Sequence, residues 1–148
     1  MVSEVNIRPL SAADQQAWFG LWQGYTDFYN AVVPQEITAH TFARAIDPAS
    51  PLLGHGAEID GVLVGFSLSI LHEGTFCKTP ICYLEDLFVD PAARGQGAAR
   101  ALIRNLVETG KAEGWAKLYW HTQIGNPARK LYDDFVEADD FVRYVMKL

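Results

Sequence analysis

At 148 residues the chain has the length of one domain and can bury a sizeable core. With 49% hydrophobic and 20% charged residues, its composition excludes a disordered or fibrous protein, and without a run of about 18 apolar residues no membrane span is expected. A net charge of −6 speaks against a nucleic-acid partner and suits a cationic one, although many proteins are mildly acidic for solubility alone.

In chain order, "MVSEVNIRPL" has neither a basic leader nor an apolar signal region, so a cytoplasmic protein is expected. "VNIRPL" alternates as a short strand. "SAADQQAWFGLWQGYTDFYNA" predicts a helix with Ser11 or Asp14 as N-cap, on which Trp18, Leu21, Trp22, Tyr25 and Tyr29 recur at helical spacing. "PQEITAHTFARAID" is a second helix opened by Pro34. Two strands follow in 52–73, joined at Asp60-Gly61, a strong hairpin signal. The two cysteines, Cys77 and Cys82, are five residues apart and form neither a disulfide framework nor a CxxC zinc pair; the four histidines are scattered, His72 and His121 reading as structural or exposed. No metal site is expected.

"ICYLEDLFVD" is a mostly apolar strand stopped by Pro91. "PAARGQGAAR" crowds Arg94, Gly95 and Gly97 into four positions. A helix with Leu102, Ile103, Leu106 and Val107 on one face follows at once and ends at Gly114. "WAKLYWHTQ" is a further strand. Asn126 and Pro127 serve as N-cap and first residue of another helix, and "FVRYVMKL" is a closing strand. The order is strand, two helices, hairpin, then strand–helix–strand–helix–strand. A strand–helix–strand unit makes a parallel pair. The expected fold is therefore α/β: one domain over 1–148, with a mixed, mostly antiparallel sheet, a central parallel strand–helix–strand unit and helices on both faces.

Glycines before a helix let a phosphate approach the free N–H groups of its first turn. Arg94 adds a cation. A plain left-handed turn into a buried helix explains the same residues. A dinucleotide fingerprint is excluded because Arg100 stands where a third glycine is needed, and a P-loop because Gly110-Lys111 is followed by alanine late in a helix.

The segment 94–99 resembles the acetyl-CoA pyrophosphate loop, Gln/Arg-x-x-Gly-x-Gly/Ala, of the GNAT superfamily of N-acetyltransferases. The strand "YLEDLFVD" and the later "NPARKLYDDF" match in the same order over 81–148, and "GVLVGFSLSI" fits the third strand. "YTDFYN" and "YLEDLFV" are similar to the histone/polyamine and spermidine/spermine acetyltransferase branch. The resemblance implies acetyl-CoA as co-substrate. The amides of Arg94, Gly95, Gln96, Gly97, Ala98 and Ala99 would hold its pyrophosphate. The backbone of Leu87, Phe88 and Val89 would pair with its pantetheine arm, where neighbouring strands splay, and Asn126 and Tyr132 would lie near the thioester. The family favours dimers, so a homodimer is expected. It often has one more residue between the asparagine and the tyrosine, and Gly-Phe where this chain has Asp140-Phe141; aspartate tolerates the left-handed turn that glycine would make.

The chemistry needs a base, because a free alkyl ammonium has a pKa near ~10. By the resemblance that base is Glu85. Period-two alternation groups Glu85 with Tyr83 and Leu87 and turns Asp86 to the other face, where it suits an ammonium group. Two adjacent carboxylates in an apolar strand are costly to bury; pairing with a core arginine or capping a helix would account for either one. Tyr132 would donate to the leaving thiolate, or merely pack. Asn126 would touch cofactor, or merely cap. Trp22, Tyr25 and Tyr29 would wall an acceptor pocket, or form a core stripe. No cysteine is placed to carry the acetyl group. The expected activity is direct N-acetyl transfer to a small primary amine, a polyamine, diamine or amino-acid-like compound, in a ternary complex. The alternatives are a protein-lysine acetyltransferase and a non-catalytic acyl-CoA sensor.

Overall fold

The computed structural model describes residues 4–148. Residues 1–3, on which the expected lack of a leader also rests, lie outside the described residues. The strands are β1 (Val5–Pro9), β2 (Leu52–Ile59), β3 (Val62–His72), β4 (Ile81–Val89) and β5 (Lys117–Tyr119). The helices are α1 (Gln15–Phe28), α2 (Gln35–Ala45), α3 (Ala98–Glu113) and α4 (Arg129–Tyr132). The strands form one sheet in chain order. β1 to β4 run antiparallel and β4 pairs parallel with β5. The mixed sheet is the one the element order implies.

The β2–β3 turn is built on Asp60 (φ 52°) and Gly61 (φ 78°), the two left-handed residues of a type I′ hairpin. Pro34 stands as the N-cap of α2, just outside its first turn. Gly114 closes α3 in the left-handed region (φ 77°).

Helices cover both faces of the sheet. On one, Trp18 of α1 is wholly buried against Trp22, Phe42 and Phe66, with Leu21, Leu68 and Phe88 completing the cluster. On the other, Leu102, Ile103 and Leu106 of α3 pack on Ala57, Val89 and Leu84. The face read from the α3 sequence is thus the face that is buried. Arg8 and Asp14 join β1 to the turn before α1 through two hydrogen bonds of 2.7 and 2.8 Å.

Four expectations are corrected. The strand "WAKLYWHTQ" is regular only over Lys117–Tyr119. α4 begins at Arg129, not at Pro127. Asn126 caps the turn before it, its Oδ1 accepting from the Ala128 N–H at 2.9 Å. The closing strand "FVRYVMKL" does not form: residues 136–148 are irregular and exposed, and Asp140 does not take the left-handed turn. A strand needs a partner edge to satisfy its backbone, and this segment lies on none.

The fourth correction concerns β4. In the β3–β4 register Leu68 faces Asp86 and Ser69 faces Leu84, so Glu85 is an extra residue with no opposite number. This is a β-bulge. It resets the alternation: Leu84 and Leu87 both pack on the α3 side, whereas Asp86 and Phe88 face α1. Glu85 therefore does not share a face with both Tyr83 and Leu87; the bulge turns it outward, exposed.

Candidate active site

β4 and β5 pair only from Ile81 to Tyr83 and from Lys117 to Tyr119. Beyond Tyr83 the two strands part, and β4 runs on to Val89 paired with β3 alone. A wedge opens at the C-terminal ends of the parallel strands, where ligands of α/β sheets commonly bind.

At one end of β4 the chain turns through residues 94–99. Gly95 (φ 82°) and Gly97 (φ 86°) are both left-handed, which only glycine adopts at little cost. A Cβ at either would meet open space, so these glycines serve backbone conformation and access rather than packing. Gly97 is the N-cap of α3, and no side chain caps the helix. Its first bond runs from the Ala101 N–H to the Gly97 carbonyl at 2.9 Å, leaving the amides before it directed outward. The Arg94 Nε donates to the Val89 carbonyl at 3.3 Å, and its guanidinium lies 5.9 Å from the centre of the Phe88 ring. Arg100, one turn on, bridges to Asp134 at 2.7 Å and fixes α3 against the segment after α4.

The wedge itself holds a small crevice. β4 contributes Leu84, Glu85 and Leu87; the chain after β5 contributes Trp120, His121 and Thr122. Tyr25 and Tyr29 of α1 and Tyr132 of α4 close it. The Tyr132 ring meets Trp120 edge to face at 5.7 Å, and burial pushes its hydroxyl pKa up to about 12, with Tyr29 adding to the rise. At neutral pH this hydroxyl keeps its proton and can donate it. Tyr25 donates to Asp86 Oδ1 at 2.7 Å. Burial pushes the Asp86 carboxyl up to about 7, the Tyr25 hydrogen bond lowers it, and the charge of Glu85 raises it further. Near neutrality Asp86 is thus a half-buried carboxyl between its two protonation states.

Asn126 bridges the wedge. Its Nδ2 donates to Thr122 Oγ1 at 2.8 Å and to the Tyr29 hydroxyl at 3.3 Å, while Oδ1 caps the turn before α4. All its side-chain groups are engaged within the chain. Trp22 is not brought to the crevice: it stacks on Trp18 in the core and donates to Thr38 Oγ1 at 3.1 Å. The other sequence candidates gather along β4, the glycine turn and the crevice. Leu84, Trp120, His121 and Thr122 were missed. Their signal was positional, since they lie at or beyond the point where the parallel pair ends. Beside them Tyr83 stacks on Tyr119 at 5.0 Å, and the Tyr83 hydroxyl is 3.2 Å from His121 Nδ1.

A larger hollow of about 370 Å³ opens at the other end of β4, beside Phe76, Cys77 and Lys117. It has neither the glycine turn nor a carboxylate. Among the described residues no three His, Cys, Asp or Glu side chains cluster as metal ligands, and no helix is long and apolar enough to cross a membrane.

The mixed sheet splays beside a glycine turn, with Tyr132 and Glu85 lining the gap and Asp86 next to it on β4. The chain belongs to the acetyltransferase (GNAT) family, whose model matches residues 18–135. It is 32% identical over 141 residues to the D-amino-acid N-acetyltransferase HPA3 of Saccharomyces cerevisiae, covering 93% of this chain and 88% of that protein. Among solved structures it resembles a ribosomal-protein-alanine N-acetyltransferase from Brucella melitensis biovar Abortus 2308, with TM-score 0.83, 25% identity and coverage of 98% and 99%. It shares its fold with the aminoglycoside N-acetyltransferase AAC(6')-Iy in complex with CoA, with TM-score 0.80, 23% identity and coverage of 99% and 97%. The protein is therefore an enzyme that transfers acetyl from acetyl-CoA to an amine. These relatives bear out the superfamily but not the finer histone/polyamine branch.

The chain fits acetyl-CoA. Open space in front of Gly95 and Gly97, the outward amides of the α3 first turn and the Arg94 guanidinium suit a pyrophosphate. The β4 edge left by β5 suits an extended amide-bearing arm.

Proposed function

We propose that this enzyme acetylates a small cationic primary amine, amino-acid-like or a diamine or polyamine, by direct transfer while amine and acetyl-CoA are bound together. The observation that carries the reading is the wedge between β4 and β5, with the glycine turn at one end and at the other the crevice of Glu85 and Tyr132, whose Tyr25 donates to Asp86.

In this reading the amides of residues 94–99 bind the pyrophosphate, and Leu87, Phe88 and Val89 offer their backbone to the pantetheine arm. That group supplies an activated thioester carbonyl. Asp86 holds the substrate's ammonium group, whose charge would pull the carboxyl back toward its ionised form. Glu85, turned out by the bulge, takes the amine's proton directly or through water. Tyr132 donates to the departing sulfur. Tyr25 orients Asp86, and Asn126 holds Tyr29 and the start of the α4 turn at the thioester end. Cys82 takes no part: it is buried, and burial pushes its thiol pKa up to about 11, so the thiolate a covalent carrier needs is scarce. Direct transfer is the simpler route.

The relatives support an amine acceptor, and the 32% identical D-amino-acid enzyme favours the amino-acid-like end of the range. The Brucella neighbour adds a peptide α-amine to the acceptors to include, and the aminoglycoside neighbour adds aminoglycosides. The test is release of free coenzyme A from acetyl-CoA across a panel of D- and L-amino acids, diamines, polyamines, aminoglycosides and a peptide. Turnover with small cationic amines above neutral aryl amines supports the proposal. Turnover with the peptide alone overturns the substrate class, and no release with any amine overturns catalysis in favour of an acyl-CoA sensor.

A further inference from the structure

Four rings form a row of contacts across the edge of the sheet: His72 of β3, Tyr119 of β5, Tyr83 of β4 and His121 just after β5, with successive centroids 5.7, 5.0 and 5.1 Å apart. The two imidazoles in this row are held differently. His72 Nδ1 lies 2.7 Å from the Glu73 carbonyl, which can only accept, so Nδ1 carries the proton. In the neutral ring Nε2 then accepts from the Tyr119 hydroxyl at 2.9 Å, and both nitrogens of His72 are used. His121 uses only Nδ1, which is 3.2 Å from the Tyr83 hydroxyl. Burial chiefly raises the pKa of that hydroxyl, and the charges of Glu85 and Asp86 add to the rise, so near neutral pH it keeps its proton and can donate to Nδ1. The neutral His121 ring then carries its proton on Nε2, and the protonated ring carries one there as well. In either state Nε2–H is a donor with no partner among the described residues.

His121 lines the crevice together with Glu85. Among the described residues that line it, His121 is the one that can carry a positive charge. Thr122 and Tyr29 are already engaged by the Asn126 amide. An amino acid bears its carboxylate one carbon from its amine. With that amine beside Glu85 and Asp86, the carboxylate would stand near two acidic groups, and like charges repel more strongly where water is partly excluded. An amino acid therefore needs a donor facing its carboxylate if it is to bind there, and an amine without a carboxylate does not.

We propose that His121 Nε2–H binds the carboxylate of an amino-acid acceptor and so sets a preference for amino acids over amines that lack one. The proposal rests on the crevice being the acceptor site, and it narrows the substrate class to the amino-acid-like end. Tyr83 is a positioning residue: its hydroxyl fixes the tautomer and the orientation of the His121 ring, and it acts only through that ring.

The test compares three acceptors that share one side chain: the best amino acid of the panel, its carboxamide, and the amine left when its carboxyl group is removed. Each is followed as kcat/KM for coenzyme A release on the wild type, His121→Phe and Tyr83→Phe. The wild type should favour the amino acid over the other two by about tenfold or more, the worth of one hydrogen bond to a charged group. His121→Phe keeps an aromatic ring against Tyr83 and removes the donor. The preference should then shrink to about one, mainly through a raised KM for the amino acid. Tyr83→Phe should lower the preference in the same direction by less. A preference that survives His121→Phe, whether activity falls equally on all three acceptors or not at all, overturns the proposal. So does a wild type that acetylates the amines with no preference for the carboxylate, a result that leaves the crevice standing as an amine site. No turnover of any of the three overturns both readings. If His121→Phe does not fold, Tyr83→Phe decides beside the wild type, and an unchanged preference in it overturns the proposal.

Discussion

Asp14 and Asp86 are both carboxyls held away from water, and the chain treats them in opposite ways. Asp14 receives two hydrogen bonds from Arg8 and a third from the Ser11 N–H at 2.8 Å, and the Arg8 guanidinium holds it below the usual carboxylate range. Asp86 receives one hydrogen bond, from the neutral Tyr25 hydroxyl, and burial pushes it up to about 7. The first carboxylate is fully paired, and its charge contributes to the fold. Among the described residues no cation pairs with the second, which lies beside the crevice where, in the proposed function, a cationic substrate brings one. Unpaired buried charge costs several kcal/mol unless the group neutralises itself.

The comparison breaks most visibly at Tyr132. If the crevice is the reaction site, Tyr132→Phe keeps the ring and its packing on Trp120 while deleting the donor to the leaving sulfur. We expect kcat to fall by about 10²–10⁴-fold with acetyl-CoA affinity near normal, because the hydroxyl acts mainly in the transition state. Steady-state coenzyme A release beside calorimetric binding checks this, and a kcat within about twofold of wild type would reduce Tyr132 to packing.

Glu85→Gln sharpens the division of labour on the crevice side. As the base, Glu85 should cost about 10²-fold in kcat at neutral pH, with the loss shrinking as pH approaches the amine's own pKa near ~10. A loss independent of pH would assign Glu85 to positioning alone.

Arg8→Ala probes the paired side. It leaves Asp14 buried with no cation, and we expect a loss of about 2 kcal/mol in unfolding free energy with kcat unchanged. Urea unfolding at pH 7 measures it.

The smallest effect tests the sign of the two shifts. Asp14, held low, contributes stability that is present above its unfolded value of 3.8 and lost as pH falls through its folded value. Asp86, held high, contributes stability that is present below 3.8 and lost as pH rises through about 7. Asp86→Asn keeps an acceptor for Tyr25 and removes the charge. It should therefore stabilise the protein by about 1–2 kcal/mol at pH 8 and by nothing at pH 4. Equal effects at both pH values would mean that Asp86 is not the raised group.

Much of this was legible in the chain because it was written locally. Asp60-Gly61, the α3 periodicity and the left-handed glycines at 95, 97 and 114 each report a backbone demand made by a few neighbouring residues. What could not be read depends on distant partners. The bulge at Glu85 exists only in the register between β3 and β4, so alternation along β4 alone wrongly grouped Glu85 with both Tyr83 and Leu87. Trp22 and Tyr25 share one helical stripe, and only the packing of α1 on the sheet sends the first to the core and the second to the crevice. Asn126 reads correctly as a cap, but its bond to Tyr29 spans 97 positions. "FVRYVMKL" has the pattern of a strand, yet a pattern does not say which edge receives it.

The central claim is that the Asp86 carboxyl titrates beside the amine it helps to bind. Its most direct test is the pH dependence of kcat/KM for coenzyme A release with the best amine, measured on wild type and Asp86→Asn, since that ratio reports groups of the free enzyme. The account predicts a break near pH 7 in the wild type, with activity rising as Asp86 ionises, and a lower profile without that break in the variant. The same break at the same pH in Asp86→Asn would contradict it.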